Sequence, residues 1–148
     1  MKLFLDTSAL IKLFHREIRT DFVIQLVNDP QNKSWISELT IIEFFSATYR
    51  LYRESRINDE ELNNAVNGFD KECDRFNIIS LNEAVIREAR ELLTKLGKSI
   101  PLRSLDALQL ASYNLVYEEN KDWAFVTSDS RLIQIFQITG GKVINPYS

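Results

Sequence analysis

Hydrophobic and polar positions along the 148-residue chain fall into two alternating kinds of pattern. Short apolar runs come at Lys2-Leu3-Phe4-Leu5, Ser34-Trp35-Ile36-Ser37, Asn77-Ile78-Ile79-Ser80, Trp123-Ala124-Phe125-Val126-Thr127 and Lys142-Val143-Ile144. Most are rich in β-branched or aromatic residues, which predicts five strands. Between them, apolar residues recur at helical spacing. Leu62, Ala65, Val66, Phe69, Cys73 and Phe76 share one helical face, and Asn58 with Glu61 is placed as a capping pair before it. Val85, Ile86, Ala89, Leu92, Leu93 and Leu96 repeat the pattern, opened by Asn82 as an N-cap and stopped at Gly97. Further helices are predicted at about 8–14, 19–28, 40–55, 104–118 and 130–138.

Strands alternating with helices predict an α/β fold: a three-layer α/β/α sandwich on a mainly parallel sheet of about five strands, joined by right-handed crossovers. Ligands of such sheets gather beyond the carboxyl ends of the strands. No repeat, low-complexity tract or Pro- or Ser-rich linker interrupts the pattern, so residues 1–148 are expected to form one domain.

Composition adds mainly exclusions. The chain has one His, one Cys and four Gly. A lone Cys73 cannot form an intrachain disulfide and reads as a packed thiol; with His15 it is too little for a structural zinc site. Only Gly140 and Gly141 lie close together, near the C-terminus, so a phosphate-binding glycine fingerprint is missing. His15 falls near the end of a short helix and reads as a surface residue. Any chemistry therefore falls mainly to carboxylates. Eighteen Lys and Arg against 21 Asp and Glu leave a net charge of -3, which gives no global positive field. No apolar run approaches the roughly 18 residues a membrane helix needs, and Asp6 breaks the N-terminal apolar stretch before the core of a signal peptide could form. A reducing, cytoplasmic setting is the expectation.

Four acids stand apart from the rest. Asp6 follows Leu3-Phe4-Leu5 directly, and Asp129 follows Phe125-Val126-Thr127-Ser128 in the same way. Each is an N-cap for the next helix, or an acid delivered to the functional edge of the sheet, and position alone does not separate the two. Asp106 would share a helical face with Leu110 and Tyr113, where an unpaired carboxylate is costly unless an ion, a partner or a raised pKa offsets it; the competing reading is an early-helix acid favoured by the helix dipole. Glu43 lies with Ser46 and Arg50 on the polar side of its helix, and its pattern alone reads as a solvated face. If these acids converge, two carboxylates about 4 Å apart repel by roughly 4 kcal/mol at an effective dielectric near 20, so a cluster calls for a cation. Oxygen-only donors suit Mg²⁺ or Mn²⁺, and a metal in such a site suits phosphodiester hydrolysis.

Four strings carry a resemblance over nearly the whole chain: Leu3-Phe4-Leu5-Asp6-Thr7-Ser8-Ala9-Leu10, Leu39-Thr40-Ile41-Ile42-Glu43, Leu105-Asp106-Ala107-Leu108-Gln109-Leu110-Ala111 and Phe125-Val126-Thr127-Ser128-Asp129-Ser130-Arg131-Leu132. In this order they resemble the motifs of PIN-domain ribonucleases, and among those the VapC-type toxins of toxin-antitoxin systems. The resemblance implies that Asp6, Glu43, Asp106 and Asp129 are catalytic, metal-binding acids, with Thr7, Ser8, Thr127 or Ser128 in supporting polar roles. It implies Mg²⁺- or Mn²⁺-dependent endoribonuclease activity with one or two ions, a homodimer, and inhibition by a small antitoxin protein. It overrides the solvated-face reading of Glu43.

An acidic RNA enzyme still needs cations near its groove. Arg103, Arg131, Lys12 and Arg16 flank the acidic motifs, and Tyr49, Arg50, Tyr52, Arg53 and Arg56 mix rings with guanidinium groups, either as an RNA or partner surface or as an ordinary solvated helix face. With a single histidine, a mechanism that uses the RNA 2′-hydroxyl with His as acid and base is disfavoured. Two other classes stay open on sequence: an Asp-nucleophile phosphotransfer domain, whose phosphatase form usually has a second Asp where Ser8 stands, and a non-catalytic α/β interaction module in which all four acids are caps or surface groups.

Overall fold

The structure is a computed structural model and describes all 148 residues. Strand β1 (Lys2–Leu5) leads into α1 (Thr7–Phe14) and α2 (Thr20–Asn28), then β2 (Lys33–Ser37) into α3 (Glu38–Arg53) and α4 (Asp59–Glu72). β3 (Asn77–Ile79) is followed by α5 (Glu83–Leu96) and α6 (Ser104–Val116), β4 (Trp123–Val126) by α7 (Ser130–Thr139), and β5 (Val143–Ile144) closes the series. All five strands are parallel in one sheet of order β3-β2-β1-β4-β5.

Alternation along the strands divides the core into two layers. Leu3, Leu5, Ala124 and Val126 point to one side, against Leu10 of α1, Val23 and Val27 of α2, Phe44 of α3 and Phe69 of α4. Phe4, Trp123 and Phe125 point to the other, against Tyr113 of α6 and Leu132, Ile135 and Phe136 of α7. α5 joins that second layer by packing Val85 and Ala89 on Ala107 and Ala111 of α6, where small side chains let the helices approach. The result is the expected three-layer sandwich. β1 and β4 are buried almost throughout, as central parallel strands are when both faces carry helices.

Local chemistry shifts some boundaries. The helix expected from residue 40 begins at Glu38, because Ser37 Oγ accepts the Leu39 N–H at 3.1 Å and caps it. The apolar face expected to run unbroken to Phe76 leaves the α-helix at Glu72; Cys73–Arg75 tighten into a 3₁₀ turn that still delivers Phe76 to the core. Cys73 is half-buried, and its thiol contacts the Asp70 carbonyl oxygen at 3.3 Å. The Asn58–Glu61 capping box and the Asn82 cap form as the sequence predicts. His15 departs from its surface reading. Its ring is half-buried beside Phe44, with Nε2 2.8 Å from Thr48 Oγ1, and burial lowers its pKa from the ordinary value.

The sheet order fixes where a site can form. The connections from β1 to β2 and from β2 to β3 move toward one edge, whereas β4 and β5 lie on the other side of β1. The chain therefore leaves β1 and β4 in diverging directions, and the crevice between their carboxyl ends is the topological switch point. Leu5 pairs in register with Val126, so the residues after these two strands emerge side by side.

Candidate active site

Asp6 leaves β1 at that crevice and is 4% exposed. Its Oδ1 accepts the Ala9 N–H at 3.0 Å, capping α1, and the Ser8 hydroxyl at 2.7 Å. Its Oδ2 accepts the Thr127 hydroxyl. Burial nevertheless pushes its pKa from 3.8 to about 6; the three hydrogen bonds pull down against it, and the Asp129 charge adds to the rise. Residues after β4 are stitched to the same place. The Ser128 N–H donates to Ser8 Oγ at 2.9 Å, and the Asp129 N–H donates to Thr127 Oγ1 at 2.9 Å. Asp129 in turn accepts the Arg131 N–H at 2.8 Å and caps α7.

The other two acids arrive from helices. Glu43 sits in the second turn of α3 and accepts the Thr7 hydroxyl at 2.7 Å and the Gln109 amide at 3.2 Å. Asp106 sits in the first turn of α6, buried, with Oδ2 3.3 Å from the Arg103 backbone N and 3.4 Å from Arg103 Nε. Asp6, Glu43, Asp106 and Asp129 all line one cavity of about 490 Å³, together with Thr7, Ser8, Arg103 and Gln109. Thr127 and Ser128 stand outside that lining and reach it through Asp6, Ser8 and Asp129.

Capping and a place in the cavity wall therefore coexist. Asp6 and Asp129 cap helices, Asp106 accepts an N-terminal backbone N–H, and all three face one cavity with Glu43. A nucleophilic role for Asp6 fits poorly, because both of its oxygens are engaged and it is nearly covered.

Two contributors escaped the sequence reading. Gln109 donates from Nε2 to Thr40 Oγ1 at 2.8 Å as well as to Thr7 and Glu43, so it ties α6 to α3 behind the acids. Its signal was a long polar side chain three residues after Asp106 on a helix otherwise buried by apolar and small groups. Thr40 is wholly buried and carried no signal of its own. Two flanking cations, by contrast, are committed elsewhere. Lys12 is 2% exposed, its ammonium held by Glu17 at 2.6 Å and Tyr147 Oη at 2.9 Å, and Arg16 pairs with Asp21 at 2.8 Å.

With this geometry in view, the relationships of the chain become informative. The model of the PIN domain family matches residues 3–136, a span that contains all four acids. The chain belongs to the PIN domain family. Ribonuclease VapC35 of Mycobacterium tuberculosis, in strains H37Rv and CDC 1551, is 32% identical over 145 residues, which cover 97% of this chain and 96% of that protein. Among solved structures, FitAcB from Neisseria gonorrhoeae superposes with a TM-score of 0.72 at 15% identity, covering 98% of each chain. VapBC2 from Rickettsia felis, bound to a DNA fragment from its promoter, gives 0.67 at 18% over 98% of each chain. A toxin-antitoxin complex from Klebsiella pneumoniae gives 0.64 at 22%, covering 99% of this chain and 98% of that one. At these identities the likeness is one of fold.

The PIN cavity has an oxygen-only acidic donor set, which fits a hard divalent cation. Asp6 supports that fit. A buried carboxyl whose pKa has climbed to about 6 lacks a compensating positive charge. The four acids face the cavity without three of them closing into an ion cage, and each is held by its own hydroxyl, amide or guanidinium partner.

Proposed function

We propose that this protein is a Mg²⁺- or Mn²⁺-dependent endoribonuclease and the toxin of a toxin-antitoxin pair. The observation that carries the reading is the arrival of four acids from four separate elements in one cavity at the switch point of a PIN fold. Similarity to Ribonuclease VapC35 supports RNA as the substrate, and fold likeness to chains solved within toxin-antitoxin complexes supports a small antitoxin partner. Asp6, Glu43, Asp106 and Asp129 would hold one or two ions. A divalent cation there supplies Lewis acidity toward a phosphoryl oxygen and lowers the pKa of an attacking water.

The residues around the acids set their geometry. Thr127 and Ser8 hold the two oxygens of Asp6 apart, while Thr7 and Gln109 fix Glu43 from two sides. Ser128 anchors the β4 loop onto Ser8 through its backbone N–H. Arg103 is the single basic side chain among the cavity-lining residues, which supports a role toward a substrate phosphate. Further from the cavity, Ile42, Ile78, Leu81 and Ile86 are exposed apolar residues. The Glu38 carboxylate accepts the Leu81 N–H at 2.9 Å, so the start of α3 lies beside the segment after β3. Exposed apolar groups on edge strand β3 and on the helices beside it suit a homodimer interface. All five strands join one sheet with helices packed on both of its sides, which supports residues 1–148 as one domain. No helix is long and apolar enough to cross a membrane, and the proposed setting is the cytoplasm, where the RNA substrate is.

The test is incubation of purified protein with structured cellular RNA in Mg²⁺, in Mn²⁺ and in chelator. Cleavage only in the metal-containing reactions is the expected result. Equal cleavage in chelator overturns the assignment.

A further inference from the structure

The one basic side chain lining the acidic cavity belongs to Arg103, and its contacts are uneven. Its Nε lies 3.4 Å from Asp106 Oδ2, and its backbone N lies 3.3 Å from the same oxygen. The Asp106 side chain is 8% exposed, whereas that of Arg103 is 60% exposed. The acid is therefore fixed in the wall and the guanidinium is loose at the mouth. Only Nε meets the carboxylate; the planar fork of the guanidinium, which binds carboxylates and phosphates bidentately, is not engaged by any carboxylate. Arg103 also closes the non-helical stretch between α5 and α6, so its side chain swings from an irregular backbone rather than from a helix interior.

We propose that Arg103 exchanges partners: without a divalent cation it neutralises Asp106, and when a cation takes that carboxylate it turns its fork to a phosphate of the RNA backbone. The proposal rests on the metal-dependent ribonuclease reading given above. Charge favours such an exchange. A buried carboxylate is stabilised by a counter-charge, and the metal-free cavity offers Asp106 no cation other than Arg103. A metal and the guanidinium compete for the charge of one carboxylate, and the guanidinium is the weaker holder, since a partly exposed ion pair alters an equilibrium constant by only about two- to fivefold. Once released, the guanidinium faces a cavity whose acids the metal has neutralised, and into which an anionic substrate must enter. A phosphate then offers it the bidentate geometry that Asp106 does not.

The exchange predicts effects of opposite sign, which a purely structural role for Arg103 cannot produce. Mn²⁺ alone is titrated by calorimetry into the parent, Arg103→Ala and Arg103→Lys; separately, kcat/KM is measured on end-labelled bulk cellular RNA at saturating Mn²⁺. Arg103→Ala is expected to bind Mn²⁺ about two- to fivefold more tightly, having lost the competitor. The same variant is expected to cleave RNA at least about tenfold less efficiently, having lost a phosphate donor. Arg103→Lys keeps the competing charge without the fork, so its Mn²⁺ affinity should match the parent's while its cleavage falls between the two. Weaker or unchanged Mn²⁺ binding by Arg103→Ala, or undiminished cleavage, overturns the exchange even if the parent is an active metal-dependent nuclease. A parent that neither binds Mn²⁺ nor cuts RNA overturns the ribonuclease reading, and the exchange with it.

Discussion

Asp6 is where the demands of folding and of chemistry oppose each other most plainly. Three hydrogen bonds favour its charged form, yet burial holds its pKa at about 6. The folded chain therefore keeps a proton that the unfolded chain releases at the ordinary value of 3.8. Stability from this group is present below pH 3.8 and is lost as pH rises through about 6, because the folded state binds more protons than the unfolded state across that window. With one pKa unit equivalent to roughly 1.4 kcal/mol, the shift corresponds to about 3 kcal/mol at neutral pH. Asp6→Asn can still accept from Ala9 and Ser8 without carrying the charge. Thermal melting of the metal-free protein at pH 7.5 should accordingly show the variant more stable by several degrees, at about 2–4 °C per kcal/mol for a chain of this size, while its RNA cleavage is abolished. A variant that melts below the parent would show that the charge is already compensated in the metal-free state. Position in the sequence could not reveal this conflict. Asp6 after an apolar run reads equally as a cap or as a site acid, and only the neighbouring strand, which brings Thr127 and Asp129 alongside, shows that it caps α1 and lines the cavity at once.

At the scale of elements, the site is an agreement between α1, α3, α6 and the loop after β4, and Gln109 carries much of it. Its amide holds Thr40 and Glu43 of α3 while Asp106 lies one turn earlier on the same helix. Gln109→Leu keeps the bulk but leaves Thr40 and Glu43 without that donor. Its metal-dependent kcat should drop by about tenfold or more, because a loosened Glu43 no longer meets the geometry the reaction needs. Gln109→Glu should fall further by placing a fifth acid beside Glu43. Single-turnover cleavage rates check both; a Gln109→Leu variant as fast as the parent would remove Gln109 from the site. Much at this scale was legible from periodicity. Each predicted strand and helix is present, and the capping signals at Asn58, Asn82 and Gly97 fall where they are used. Contacts between elements were not legible. Glu43 reads as solvated on its own helix because the partners that hold it, Thr7 and Gln109, come from 36 and 66 residues away. His15 reads as a surface group for the same reason: Thr48 and Phe44 meet it across α1 and α3.

For the whole molecule, strand order turns scattered acids into one site. A parallel sheet ordered β3-β2-β1-β4-β5 opens a single crevice between β1 and β4, and the register of Leu5 with Val126 levels the two strand ends. That order was not derivable from the pattern of strands and helices, although the expectation of acids at the carboxyl edge needed only a parallel sheet. The scarcity of His and Cys acquires a meaning in this setting: a hydrolase that works through a hard cation uses neither, and a net charge of -3 is compatible with an RNA substrate once metal offsets the acids. The most direct test compares parent and Asp106→Asn on the same labelled cellular RNA, each in Mn²⁺ and in chelator. The four-acid account predicts cleavage by the parent in Mn²⁺ alone, with Asp106→Asn slower by about a hundredfold or more. Cleavage by Asp106→Asn at the parent's rate, or by the parent in chelator, would contradict it.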